Sequence, residues 1–198
     1  MIFLKASEEI LKGISKAIRG LDHSQVEDML GTLLRLREEG RKVLVVGAGR
    51  SGLVGKAFAM RLMHLGFDVH VMGETITPAI GQDDLILIIS GSGSTTLPVT
   101  VANMAKSLGG FILSVTSHPE SPLGKTADQI MVVPGRVTMA REDEYISRQL
   151  KGEHEPLAPM GTIFEDSCMV FLDAIIVELM ARLEISEEEM RRKHAVIE

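Results

Sequence analysis

Five short apolar tracts rich in β-branched residues alternate with segments in which apolar residues recur at helical spacing. Strands of nearly continuous apolar character need cover on both faces, which is typical of a parallel sheet between two layers of helices. The strands are expected over residues 42–47, 68–73, 83–90, 110–117 and 128–135. The alternation predicts an α/β fold: a doubly wound, flavodoxin-like, five-stranded parallel sheet of order 2-1-3-4-5, flanked by helices.

Helices are expected between the strands and at both ends of the chain. Apolar residues at helical spacing predict two leading helices, over 3–19 and 24–39, which form an N-terminal helical pair within residues 1–40. Further helices are expected over 52–66, 96–109 and 162–185, followed by a last helical turn or two and a tail. A chain of 198 residues fits a single domain, 1–198.

Residues 134–161 interrupt the alternation. This segment is charged, rich in turn residues and much longer than an ordinary connection between two elements. We favour a solvated loop with a little helix around residues 142–150. A lid or a subunit-contact arm is the alternative interpretation.

Composition and charge exclude several classes of protein. The net charge is −6 and no Lys- or Arg-rich block is present, so the overall field repels nucleic acid. Cys168 is the only cysteine, so neither an intrachain disulfide nor a cysteine-paired zinc site is possible, and we expect it to be a buried apolar residue. We expect no metal, since the histidines form no metal-spaced set. No apolar run reaches the ~18 residues that a membrane span needs, so we expect a cytoplasmic protein without a membrane partner.

The first of two glycine-rich loops follows the first expected strand. The sequence GAGRSG, residues 47–52, has the G-x-G-x-x-G spacing of dinucleotide-binding folds, and Glu74 follows the second strand where a ribose-binding acid is wanted. A nicotinamide-dependent oxidoreductase is therefore one hypothesis. The spacing alone is a weak signal, because any tight turn that places a phosphate on a helix N-terminus favours glycine.

The second glycine-rich loop, SGSGSTT at residues 90–96, follows the third strand and carries five hydroxyls in seven positions. In the order 2-1-3-4-5 the first and third strands are neighbours at the point where the winding reverses, so both loops open onto one crevice. Hydroxyls, close backbone amides and helix N-termini there favour a phosphorylated ligand. The expected phosphate-binding residues are Gly49, Arg50, Ser51, Ser90, Gly91, Ser92, Gly93, Ser94 and Thr95.

Beyond the loops, the chain resembles the 6-phospho-3-hexuloisomerases of the sugar isomerase (SIS) domain family from about residue 42 to the C-terminus. The motifs that carry the resemblance are GAGRSG, FAMRLMHLGF, GETITPAI, DDLILIISGSGSTT, PMGTIFEDS and KHAVIE. The resemblance implies an enzyme that converts D-arabino-hex-3-ulose 6-phosphate to fructose 6-phosphate in the ribulose monophosphate pathway of formaldehyde fixation. It also implies a homo-oligomer, with a tetramer favoured, and no cofactor.

Two residues are the catalytic candidates that the resemblance implies. Glu165 resembles the catalytic glutamate of the family and is the expected base, in the first turn of an apolar helix where partial burial favours such a role. Its competing interpretation is a capping box, in which Glu165 bonds back to the amide of Thr162. His194 is the expected proton shuttle between the sugar oxygens, in its own or a neighbouring subunit's site.

Two features differ from the family pattern or stay open. The tail after His194 reads Ala195, Val196, Ile197 and Glu198 where a more polar ending is expected. Arg50 either neutralises phosphate charge or pairs with Glu74. Among functions, the alternatives are another aldose–ketose isomerase of this fold, such as one acting on arabinose 5-phosphate, and a sugar-phosphate-sensing module without catalysis.

Overall fold

The computed structural model describes residues 1–135 and 157–194, so the expected helix around 142–150 and the residues after His194 lie outside the described part. The strands are β1 (Lys42–Gly47), β2 (Asp68–Val71), β3 (Leu85–Ile89), β4 (Phe111–Thr116) and β5 (Gln129–Val132). The helices are α1 (Ile2–Arg19), α2 (His23–Glu38), α3 (Gly49–His64), α4 (Thr96–Ser107), α5 (Pro122–Thr126), α6 (Thr162–Arg182) and α7 (Glu187–Arg192).

The predicted sheet is confirmed. Its strands pair in the order β2-β1-β3-β4-β5, and every pair is parallel. Gly47, the last residue of β1, lies opposite Ile89, the last residue of β3. The two glycine-rich loops therefore leave the sheet side by side at its carboxyl edge.

The two faces of the sheet bury separate apolar clusters. One face packs against α2, α3 and α6 through side chains such as Leu33, Phe58 and Phe171, and the other packs against α4 and α5. The all-apolar strand β3 contributes Leu87 to the first cluster and Ile88 to the second. Alternate residues of a strand point to opposite faces, which explains why the tract is apolar throughout.

Helix α5 was not expected from the sequence, because five residues are too few to display helical periodicity. Its start is nonetheless marked: the hydroxyl of Ser121 accepts a hydrogen bond from the N–H of Gly124, and Pro122 occupies the first turn. Helix α3 begins at Gly49 rather than at residue 52, and β2 ends at Val71 rather than at residue 73. These differences are of the size expected at element boundaries.

The N-terminal helix α1 packs against α6. Gly13 makes this approach possible, since a Cβ there would lie 2.7 Å from Cδ1 of Ile163. Glu9 of the same helix accepts hydrogen bonds from the N–H groups of Leu157 and Ala158, at 2.8 and 3.5 Å. Helix α1 thus fixes the segment that leads into α6.

Carboxylates join neighbouring strands at the amino edge of the sheet. Asp84 is buried and accepts hydrogen bonds from the N–H groups of Lys42 and Gly81, and the ammonium of Lys42 lies 3.2 Å from it. Burial alone would raise the pKa of Asp84, but these hydrogen bonds and the Lys42 charge outweigh it, so the pKa lies below its ordinary value. Asp128 accepts from the N–H of Ile112 and pairs with Lys106 in the same way.

Within the described residues, no helix combines the length and the apolar character that crossing a bilayer requires.

Candidate active site

A cavity of about 330 Å³ lies at the carboxyl edge of the sheet, where the two glycine-rich loops meet the start of α6. Its volume is at the small end of the range typical for small-molecule sites. The residues that line it are Ala48, Gly49, Ser51, Ile89, Ser90, Gly91, Ser92, Thr95, Pro98, Met160, Gly161, Phe164 and Glu165. Six of the nine expected phosphate-binding residues are therefore brought together, while Arg50, Gly93 and Ser94 lie outside the lining.

The first loop is a tight turn from β1 into α3. A Cβ on Gly47 would lie 2.8 Å from the backbone nitrogen of Gly52, so a side chain at this position would force the turn open. Gly49 has a φ of +56°, in the left-handed region that favours glycine. The turn places the first amides of α3 and the hydroxyl of Ser51 on the cavity.

Three helices point their N-termini at the cavity, and none of the three has a side-chain cap. The N-cap positions of α3, α4 and α6 are Ala48, Thr95 and Gly161. Within residues 1–135 and 157–194, no side chain hydrogen-bonds to the first amides of these helices. Elsewhere, α2, α5 and α7 are capped by Asp22, Ser121 and Ser186. Uncapped helix N-termini offer N–H groups and a partial positive charge to an anion.

Hydroxyl-bearing residues of the second loop line the cavity close to one another. The Oγ of Ser92 lies 3.4 Å from Oγ1 of Thr95, and Ser90 is buried at the end of β3. Gly93 instead braces the loop, since its N–H donates to the carbonyl of Ser90 and its carbonyl accepts from the N–H of Leu123. The loop is thus held by the segment around α5, and Ser90, Ser92 and Thr95 line the cavity.

Glu165 lies in the cavity, and the capping-box hypothesis for it is wrong. The N-cap of α6 is Gly161, with a φ of +89°, and no side chain caps this helix. The Glu165 side chain is 14% exposed and lies against Gly161, where a Cβ would come within 3.1 Å of Oε1. A glycine at position 161 thus leaves room for the carboxylate beside the cavity.

Arg50 bonds to carboxylates of α6. Its Nε donates to Oε2 of Glu165, and its Nη2 donates to Oδ1 of Asp166 at 3.1 Å. The hydrogen bond and the charge of Glu165 raise the pKa of Arg50. The alternative pairing with Glu74 is wrong, because Glu74 pairs with Lys56 at 2.6 Å.

His194 does not lie near Glu165 in the same chain. Its ring packs on that of His64, with centroids 5.2 Å apart, and His64 is the last residue of α3. The site lies at the first residue of α3, and a helix of 16 residues is about 24 Å long. The structure therefore does not bring the two expected catalytic residues together within one chain.

Several lining residues were missed in the sequence. Met160, Gly161 and Phe164 come from the entry to α6, and Pro98 comes from the first turn of α4. The glycine directly before an apolar helix was the available signal for Gly161. The other three carry no chemistry that a sequence pattern reveals, and only their placement in the fold identifies them.

Other parts of the described chain are less suited to a polar ligand. A groove of about 770 Å³ between α6 and α7 is lined largely by apolar side chains such as Ile176 and Met180. Among residues 1–135 and 157–194, no group of three or more His, Cys, Asp or Glu side chains is placed to hold a metal ion. Cys168 is buried, which raises the pKa of its thiol, so it fits the structural role expected of it.

Comparison with known proteins assigns the chain to a family. The family model described as SIS domain matches residues 35–141. The chain belongs to the SIS domain family. The match includes both glycine-rich loops, whereas Glu165 and α1 lie outside it.

Individual SIS domain relatives match nearly the whole chain. An uncharacterized protein of Aeropyrum pernix is 53% identical, over 98% of this chain and 92% of its own. The 3-hexulose-6-phosphate isomerase of Bacillus subtilis is 37% identical, over 96% of this chain and 96% of its own. A crystal structure from Methanococcus jannaschii, for which the function of 3-hexulose-6-phosphate isomerase was inferred, is 32% identical with a TM-score of 0.73 over 100% of both chains.

Proposed function

We propose that the protein is a 3-hexulose-6-phosphate isomerase, which interconverts D-arabino-hex-3-ulose 6-phosphate and fructose 6-phosphate. The observation that carries the proposal is the position of the Glu165 carboxylate in the same cavity as the two phosphate-binding loops. A base and an anion site in one small cavity suit a sugar phosphate whose reacting carbons lie several bonds from the phosphate. The relatives of that name, similar over most of the chain, support the same substrate.

The phosphate of the sugar is bound by the amides and hydroxyls of the loops. Ser92 and Thr95 donate O–H groups to phosphate oxygens, and the uncapped N-termini of α3 and α4 add N–H groups and positive potential. This arrangement needs no basic side chain, which is consistent with a chain whose net charge is −6.

Glu165 acts as the base that moves the proton between carbons. Its carboxylate takes the proton from C2, and the electron pair left on C2 forms the C2–C3 double bond of a cis-enediol while the C3 carbonyl oxygen gains a proton. Collapse of the enediol forms the C2 carbonyl, and Glu165 returns the proton to C3. The step is balanced without a redox cofactor, because one carbon is oxidised as its neighbour is reduced.

We propose that His194 moves the proton between the two sugar oxygens, in the site of a neighbouring subunit. Its position at the far end of α3 supports a neighbouring site over its own, since about 24 Å separates the two ends of that helix. Mixing Glu165→Gln chains with His194→Ala chains tests this. Partial recovery of activity is expected, and mixtures as inactive as each parent would contradict a shared site.

A homo-oligomer is part of this proposal, with a tetramer favoured. Helices α3 and α6 pack side by side, and both expose apolar side chains. The exposed apolar side chains on these two helices are Leu53, Met60, Met63, Val170 and Val177. Exposed apolar side chains that cluster on neighbouring helices are typical of interaction surfaces, so these surfaces favour contact with other copies. Light scattering in solution gives the number of subunits.

We also propose the domain organisation, the cellular location and the pathway of the protein. The described helices α2 and α6 share one apolar cluster with the sheet, which supports a single domain over residues 1–198. The enzyme is placed in the cytoplasm and in the ribulose monophosphate pathway of formaldehyde fixation. The pathway assignment rests on the reaction and is tested with it.

A coupled assay tests the proposed function. Hexulose 6-phosphate is supplied and fructose 6-phosphate is detected, with arabinose 5-phosphate as the competing substrate. Turnover of the hexulose alone is expected. Turnover of the pentose alone would favour the alternative isomerase, binding of fructose 6-phosphate without turnover would favour a sensing module, and fluorescence change on titration with reduced nicotinamide cofactor would favour an oxidoreductase.

A further inference from the structure

We propose that Arg50 and Asp166 act together to position the Glu165 carboxylate, and that Arg50 is not a ligand of the substrate phosphate. This inference rests on the proposed function, because it assigns a role toward the proposed base. The guanidinium reaches from the first turn of α3 to the first turn of α6, where it contacts two consecutive carboxylates. The three residues are called the carboxylate clamp below.

The geometry of the clamp leaves one oxygen of the base for the substrate. Nε of Arg50 bonds to Oε2 of Glu165. Among residues 1–135 and 157–194, no group hydrogen-bonds to Oε1, the oxygen that lies beside Gly161. A carboxylate fixed through one oxygen presents the other in a defined direction, as a general base requires.

A fixed direction matters because a glutamate has three rotatable side-chain bonds. In the part of the chain that the structure describes, residues 1–135 and 157–194, Arg50 is the only group that hydrogen-bonds to this carboxylate. A planar guanidinium can hold two carboxylates along two of its edges, whereas an ammonium is a point charge without that geometry. The clamp therefore restrains the direction of the base.

Asp166 gives the clamp its second function, which is to maintain charge balance during the reaction. When Glu165 takes the proton from the substrate, its carboxyl becomes neutral and no longer balances the charge of Arg50. The carboxylate of Asp166, 3.1 Å from Nη2, still does. Arg50 thus keeps an anionic partner in both protonation states of Glu165, and its attraction to the substrate phosphate stays weak.

The two possible roles of Arg50 give different kinetic results. Loss of a residue that binds substrate and transition state equally raises KM and leaves kcat unchanged, whereas loss of a group that positions the base lowers kcat. We therefore measure kcat and KM separately with hexulose 6-phosphate for wild type, Arg50→Met, Arg50→Lys and Asp166→Asn, and compare their thermal unfolding.

Lys56 provides a matched control on the same helix. Its side chain is 54% exposed, against 57% for Arg50, and it also forms an ion pair with a carboxylate, that of Glu74. Lys56→Met removes the same charge at about the same exposure without contact to the cavity lining. Its kcat and KM are expected to stay within about twofold of wild type, since exposed ion pairs contribute little.

For the clamp variants, we expect kcat to fall and KM to change little. Arg50→Met lowers kcat by about 10- to 100-fold, the range for a misdirected catalytic group, while KM changes by less than about threefold. Arg50→Lys recovers part of the loss, and Asp166→Asn lowers kcat by about 3- to 10-fold. If Arg50→Met fails to fold, kcat and KM of Arg50→Lys and Asp166→Asn still distinguish a positioning role, which lowers kcat, from phosphate binding, which raises KM.

Three results would overturn the clamp: a rise in KM at unchanged kcat in the Arg50 variants, which would make Arg50 a phosphate ligand; equal losses in Lys56→Met; or wild-type kcat in Asp166→Asn. The wild-type arm separates this inference from the proposed function. Wild type that fails to turn over hexulose 6-phosphate refutes the function and the clamp with it, whereas active wild type with any of the three results refutes the clamp alone.

Discussion

The two edges of the sheet contain similar polar groups in opposite arrangements. At the amino edge, the carboxylates of Asp84 and Asp128 bond to amides of neighbouring strands and pair with Lys42 and Lys106. At the carboxyl edge, three helix N-termini carry no side-chain cap, and glycines replace the side chains that would fill the space. The first edge satisfies its polar groups internally, whereas the second leaves amides for a ligand.

We expect this difference to separate residues that stabilise the fold from residues that act on the substrate. Changes at the carboxyl edge are expected to alter kinetics with little effect on unfolding, and changes at the amino edge are expected to do the reverse. Four substitution experiments test this separation, beginning with the largest expected effect.

Glu165→Gln gives the largest loss. The amide keeps an acceptor for Arg50 but cannot take a proton, so kcat is expected to fall by at least about 10²-fold, the usual contribution of a positioned base. The measurement is kcat with hexulose 6-phosphate beside the unfolding temperature. Glu178→Gln, an exposed substitution of the same type on α6, is the control and is expected to be as active as wild type. Near-normal turnover in Glu165→Gln would remove this residue from the mechanism.

The double substitution Ser92→Ala with Thr95→Val removes two hydroxyls from the cavity. Each lost hydrogen bond to a charged group costs about 1.5–3 kcal/mol, so KM is expected to rise by at least about tenfold while the unfolding temperature changes little. Thr100→Val removes an exposed hydroxyl from the next turn of α4 and serves as the control. An unchanged KM in the double variant would place the phosphate elsewhere.

Asp84→Ala tests the amino edge. The substitution leaves two amides and the ammonium of Lys42 without their buried acceptor, which is expected to lower the free energy of unfolding by about 2–3 kcal/mol. The kcat of the folded variant is expected to equal that of wild type. Chemical denaturation measures the loss, and the exposed Asp68→Ala at the start of β2 provides a comparison expected to lose less than about 1 kcal/mol. A selective loss of kcat in Asp84→Ala would show that the two edges are not separate.

The smallest effect is a difference in pH dependence. Because the folded protein lowers the pKa of Asp84, the stability from this carboxylate is fully present above its ordinary pKa of about 3.9 and is lost as the pH falls through the lower folded value. The free energy of unfolding of wild type should therefore fall more steeply below about pH 4 than that of Asp84→Asn. Titrations of unfolding at several pH values check this. Parallel curves would contradict the shift.

The sequence predicted the sheet because its central strands are apolar on both faces, a pattern that few other folds share. Leu87 and Ile88 of β3 are both apolar because each packs in a different apolar cluster, one on each face of the sheet. An amphipathic strand, which has one polar face, would not show two apolar residues in succession. Helix α5 was missed because five residues contain little more than one helical turn. The order of strands followed from the alternation together with general rules of connection.

The site was predictable where residue type indicates chemistry and, for Glu165, through the family resemblance. Glycines and hydroxyls identified both loops. The partners of Arg50 could not be predicted, because 115 residues separate it from Glu165 and their contact depends on how α3 and α6 pack. The sequence suggested Glu74 as a partner of Arg50, but Glu74 forms an ion pair with Lys56. The location of His194 beside His64 likewise depends on where α7 ends relative to α3.

The uncapped starts of α3, α4 and α6 also affect how long the free enzyme survives. A missing side-chain cap typically costs a helix about 1 kcal/mol, so the empty protein is less stable than its secondary structure allows. The sugar phosphate proposed to bind there would supply the acceptors and stabilise the folded state in proportion to the logarithm of its concentration. Metabolite supply would then regulate the abundance of the enzyme as well as its rate, with chains turned over faster in cells that lack the substrate.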